Sequence, residues 1–169
     1  MSFKQMFADE LDREAARTRR ALEQVPLGRD DWKPHQKSMP LGRLAGLLAG
    51  MPSWFEFIVR DGSLELSPPA GANPAPPTPR TRAELVRALD EAVAKARAAL
   101  AGTTDDHLMQ PWRLTVQGKT VSEAPRHIVI RDTFMHLAHH RGQLTVYLRL
   151  CGVTVPAIYG PSADDARFA

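Results

Sequence analysis

The chain has 169 residues, 43% of them apolar and 24% charged, which is enough to bury one core and make a single domain over residues 1–169. The formal net charge of +3 comes from acidic and basic residues interleaved along the sequence, so a nucleic-acid partner is not expected. No apolar run approaches the ~18 residues that cross a bilayer, the N-terminus lacks the apolar stretch of a signal peptide, and the lone Cys151 cannot form an internal disulfide, so a cytoplasmic protein is expected.

The first helix is predicted over about 2–24, with Phe3, Phe7, Leu11, Thr18, Leu22 and Val25 marking the inward stripe and Pro26 and Gly28 stopping it. Arg13, Arg17 and Arg20 fall on another, solvated face. Pro34 and Pro40 push the residues before them out of the helical region, so 31–40 reads as an extended connection. The second helix then runs from Pro40 to about Val59, bent by Pro52, with Leu44, Leu47, Leu48, Met51, Phe55 and Ile58 inward. Gly42, Gly46 and Gly50 recur on one face and suit close approach of another helix.

Composition changes over 61–80, where six of the 14 prolines fall between Pro68 and Pro79, so this stretch is expected to be a long extended crossover. Thr81 and Glu84 form a capping box that opens the third helix, which runs to Ala101 and closes at Gly102. Leu85, Leu89, Val93, Ala96 and Leu100 supply its stripe. Alternation over 112–121 predicts a short hairpin turning at Gln117-Gly118, and Ser122 is read as the cap of a fourth helix ending near Cys151. The tail after Gly152 is expected to fold back over the helices. The fold class is therefore all-α, a four-helix bundle with one long Pro-rich crossover and a short β-hairpin before the last helix.

Chemistry concentrates in that last helix. His136 and His140, four residues apart, project within about 40° of each other, and Gln143 lies beside them. Ile130, Leu137, Leu144 and Leu148 flank this stripe on one side and Ile128, Met135, Val146 and Leu150 on the other, so both imidazoles are expected to face the interior, where they need a partner such as a cation or a carboxylate. Asp132, one turn before His136, is the nearest carboxylate; Tyr147, one turn after Gln143, continues the stripe; His139 flanks it. Leu137 stands where the HExxH zinc motif needs Glu, and two imidazoles alone are an incomplete metal site.

The run from His136 to Leu144, with Val146-Tyr147-Leu148-Arg149 and Val155-Pro156-Ala157-Ile158-Tyr159-Gly160-Pro161-Ser162 after it, closely resembles the last helix and tail of DinB/YfiT-like proteins. Trp32-Lys33-Pro34-His35, Ser38-Met39, Leu41-Gly42-Arg43-Leu44-Ala45 and Met51-Pro52-Ser53-Trp54 resemble the same family in the same order, so the likeness covers nearly the whole chain. It implies a four-helix bundle, often dimeric, with a divalent metal (Zn, Ni, Mn or Fe) on three histidines, one from the second helix and a pair from the last. His136 and His140 match that pair. The second-helix histidine falls at Leu47, which cannot donate to a metal. His35, Glu56, His107 and His127 are weaker substitutes.

Two readings follow from the resemblance. In one the chain is a metal-dependent enzyme of thiol-transferase or hydrolase type, with a metal on His136 and His140 and with Asp132, His139, Gln143 and Tyr147 orienting the imidazoles or a small-molecule or thiol ligand. In the other it is a metal-free homodimeric binding or structural protein of the same fold, its cavity given over to an apolar ligand.

Overall fold

The computed structural model describes residues 2–67 and 81–167; the proline-rich part of the crossover, 68–80, lies outside the described residues. The chain is mostly helical, with a small sheet. Helix α1 (Phe3–Leu22) is capped by Ser2, whose hydroxyl accepts from the Gln5 amide, and buries Phe7, Leu11, Thr18 and Leu22. Phe3, expected inside, is 38% exposed.

The second helical run is in two pieces. Helix α2 (Leu41–Gly50) passes through a 3₁₀ turn at Met51–Ser53 into α3 (Trp54–Arg60). Pro52 sits in that turn, where a residue without an amide hydrogen breaks the α ladder at little cost. The small residue at Gly42 serves a loop rather than a helix: a Cβ there would meet Asp30 at 3.0 Å, and its amide donates to the Asp30 carbonyl. Gly50 has nothing within 4 Å of an added Cβ.

Helix α4 (Arg82–Ala101) carries the capping box on Thr81 and Glu84 and buries Leu85, Leu89, Val93, Ala96 and Leu100. A short α5 (Asp105–Leu108) follows, tied to the start of α1 because the Asp105 carboxylate accepts from the Phe3 and Lys4 amides. Helices α1, α2 and α3 pack on both α4 and the last helix, α6 (Arg126–Leu150), around one core.

The sheet has three strands rather than a lone hairpin. Strand β1 (Ser63–Glu65) comes from the stretch expected to be crossover and pairs parallel with β2 (Pro111–Val116), which pairs antiparallel with β3 (Lys119–Pro125). Gln117 and Gly118 both take positive φ, 50° and 75°, as a two-residue hairpin turn needs. Glu65 ties the end of β1 to the hairpin turn: its carboxylate accepts from the Gln117 and Gly118 amides at 3.0 and 2.9 Å. Ser122 does not cap a helix. The ladder carries β3 on to Pro125, opposite Pro111, and α6 begins only at Arg126.

Arg126 anchors that junction, its buried guanidinium donating to the carbonyls of Pro111 at 2.6 Å and Asp61 at 3.0 Å. After Gly152 the chain folds back: Arg149 meets Asp164 at 2.6 Å, and Ala157 enters the core. No helix among the described residues is long and apolar enough to cross a membrane.

Candidate functional site

The face that α6 buries is not the one expected. Ile130, Thr133, Phe134, Leu137, Arg141, Leu144, Tyr147 and Leu148 point inward, while Met135, Val146 and Leu150 are 61, 57 and 58% exposed. Counting those three as inward placed the middle of the apolar arc on the histidines. The residue that shifts it is Arg141, a charged side chain that lies inside because both of its terminal nitrogens are partnered. Its guanidinium reaches the Glu14 carboxylate at 2.5 Å, Thr18 Oγ1 at 3.0 Å, and the Tyr159 hydroxyl from the tail. Arg17, assigned to a solvated face, pairs with the other Glu14 oxygen at 2.5 Å and stacks over the Tyr159 ring at 4.6 Å.

His136 and His140 accordingly sit at the edge of α6 rather than in the core; His136 is exposed and His140 half-buried. Their rings remain neighbours, centroids 4.6 Å apart, and the Trp54 indole of α3 packs edge-on against His136 at 5.5 Å. Partial desolvation of the ring lowers the His136 pKa below its ordinary 6.5, and the charges of His140 and His139 act in the same direction. His140 Nδ1 and Gln143 Oε1 are hydrogen-bonded at 2.7 Å; in the tautomer with the proton on Nδ1 the ring donates to that oxygen and its Nε2 lone pair is free. His139 is exposed and packs edge-on to His140 at 5.2 Å.

The other candidates separate. Asp132 is exposed, and its carboxylate takes Arg131 at 3.3 Å rather than the His136 ring. Tyr147 is buried against Trp32, and its hydroxyl donates to the Met39 carbonyl at 3.3 Å, well away from the histidines. The Met39–Tyr147 and Trp54–His136 contacts run antiparallel along the two chain segments, and α2 packs against α6. Leu47 is half-buried and packs on the core. His35 Nδ1 accepts from the Lys37 amide in its own turn, Glu56 pairs with Arg60, His107 bonds the Val59 carbonyl, and His127 bonds the Leu108 carbonyl.

Among the described residues, no three His, Cys, Asp or Glu side chains are grouped to hold a metal ion. Resident divalent ions in proteins take three or four protein donors, whereas here two imidazoles stand together without a third such donor among the described residues. The residues present do not fit a tightly held metal.

What His136 does border is a cavity of about 380 Å³ between α3, the sheet and α6. Trp54, Phe57 and Ile58 come from α3, Leu64 from β1, and Trp112 and Leu114 from β2. Alternation along β2 and β3 turns Trp112, Leu114, Ser122 and Ala124 toward it and sends the Arg113–Glu123 ion pair to the opposite face. From α6, His136 and Asp132 stand at its edge. The volume lies in the range of small-molecule pockets, and the walls are apolar and aromatic with few polar groups, as such pockets are. The cavity has no signature in α6 or in the strands taken alone, because its walls come from segments far apart in sequence.

A family model described as the DinB family matches residues 1–167. The uncharacterized protein YrdA of Bacillus subtilis (strain 168) is 31% identical over 113 residues, 66% of this chain; the match spans 64% of that protein, just under two thirds of its length. Two solved structures have the same fold. A DinB-like protein, YjoA, from Bacillus subtilis superposes with a TM-score of 0.67 at 20% identity, covering 88% of this chain and 94% of its own. A DinB-like protein from Bacillus cereus ATCC 10987 superposes with a TM-score of 0.66 at 21% identity, covering 90% and 95%.

Proposed function

The chain belongs to the DinB family, and from that premise we propose that it binds a small, mostly apolar molecule in the cavity between α3, the sheet and α6. Its long helices are read as that family's four-helix bundle, which holds one wall of the cavity against the sheet. One observation carries the reading: a space of about 380 Å³ walled by Trp54, Phe57, Trp112 and Leu114, with His136 and Asp132 as polar groups at its edge. Aromatic walls supply most of the affinity through apolar burial, and the polar side chains of His136, Asp132, Ser122 and Thr133 set orientation.

Isothermal titration with 2-naphthalenemethanol, a neutral bicyclic probe, tests it. Binding with Kd on the order of 100 µM is expected for a ligand of this size. Ser122→Phe, which fills the cavity from an exposed position, should weaken it at least tenfold; heat-free titration of the wild type would refute the reading.

A second reading is favoured by the 4.6 Å separation of the His136 and His140 rings. Here the pair holds an exchangeable divalent ion (Zn, Ni, Mn or Fe), and a thiol-transferase or hydrolase activity would belong to this reading alone. Metal content of untagged protein separates the two: a near-stoichiometric ion lost in His140→Ala favours the second, and substoichiometric metal favours the first.

A further inference from the structure

We propose that the cavity selects a protonated amine on an aromatic or alkyl body over the matching alcohol or carboxylate. The inference rests on the cavity reading above and deepens it. Among the described residues, Asp132 is the only carboxylate that lines the cavity, and no lysine or arginine lines it. The nearby cations are directed elsewhere. The Arg113 guanidinium pairs with Glu123 on the far face of the sheet, and Arg126 donates to the backbone carbonyls of Pro111 and Asp61. Arg131 alone touches Asp132, at 3.3 Å, with both side chains more than 60% exposed, a pair that solvent and competing cations readily exchange.

The walls reinforce the sign. Trp54, Phe57 and Trp112 present aromatic surface, whose faces carry negative charge density and attract a cation. An ammonium at the mouth can meet the Asp132 carboxylate while its apolar body lies among these rings. A carboxylate in the same place would face Asp132 with no lysine or arginine among the described lining residues to offset the repulsion.

The test compares three probes with one ring system at pH 7 in low salt: 2-naphthylmethylamine, 2-naphthalenemethanol and 2-naphthoate, titrated calorimetrically. The amine is expected to bind about tenfold more tightly than the alcohol, with the carboxylate weakest. Asp132→Asn should bring the amine down to the affinity of the alcohol, whereas Glu123→Gln, which removes a charge from the other face of the sheet, should leave the preference intact. Equal affinities, a carboxylate preference, or an amine preference that survives Asp132→Asn would overturn the inference while leaving the cavity reading in place. Failure of all three probes to bind would overturn both.

Discussion

The Arg141 guanidinium, 1% exposed, lies 2.5 Å from the carboxylate of Glu14, 3% exposed, and so joins the last long helix to the first. The Tyr159 hydroxyl donates to the same carboxylate at 3.0 Å, which brings the tail into the arrangement. Removing one member leaves a buried charge without its partner, a loss of about 3–5 kcal/mol. Glu14→Gln should therefore lower the stability measured by urea unfolding by roughly that amount, and a change under about 1 kcal/mol would contradict the role assigned to the pair.

The same carboxylate sets an acid limit. Burial pushes the Glu14 pKa up, but hydrogen bonds and charge from Arg141, with further bonds from Arg17 and Tyr159, outweigh it and hold the pKa below its ordinary 4.5. A carboxylate with a depressed folded-state pKa contributes stability that is complete above its unfolded value and lost as pH falls toward the folded one. Urea midpoints of the wild type should consequently fall as pH drops below 4.5, and those of Glu14→Gln should fall less over the same interval. Parallel curves would contradict this.

Leu47, on the α2 helix that packs against α6, is the position where the resemblance puts the third donor and so gives a direct test of it. Structural zinc binding of about 10–16 kcal/mol spread over four donors is roughly 3 kcal/mol each, or about 100-fold in affinity per donor. Leu47→His should raise Zn or Ni affinity by about that factor, and adding His140→Ala should abolish the gain. An unchanged affinity in Leu47→His would mean that α2 and α6 do not present these positions to one another.

His136 should titrate below 6.5 in NMR spectra of its ring protons, first because of burial and then because of the His140 and His139 charges. Replacing His140 by Gln removes one of those charges and should move the His136 midpoint upward. A midpoint at or above 6.5 in the wild type would contradict the packing of this ring against Trp54.

How much could be read from the sequence depended on the range of the interaction. The Thr81–Glu84 capping box spans three residues, and both of its hydrogen bonds form; Thr81→Ala is expected to cost about 1 kcal/mol in unfolding experiments. The 81–101 helix and the Gln117-Gly118 turn were equally legible, because local spacing and turn chemistry determine them. Helix α6 was misread at both levels. Its start was placed at Ser122 because a strand that runs to Pro125 depends on pairing with Pro111, and its inward face was misplaced because Arg141 is neutralised by a residue 127 positions away. Periodicity treats a charged residue as outward-facing and cannot register a partner on another helix. Strand β1 was missed for the same reason, since its pairing with β2 joins segments about 50 residues apart. The His136–His140 adjacency was readable from their spacing, whereas the cavity beside them needed α3, the sheet and α6 in place together.

The most direct measurement of the ligand site is an amide and indole correlation spectrum of ¹⁵N-labelled protein titrated with 2-naphthalenemethanol. Expected are saturable shifts of the Trp54 and Trp112 indole signals together with the backbone amides of Leu114, Val129 and Thr133, all from residues that line the cavity. Shifts confined to the exposed α6 residues Met135, Val146 and Leu150, or no shifts at millimolar probe, would contradict a ligand site between α3, the sheet and α6.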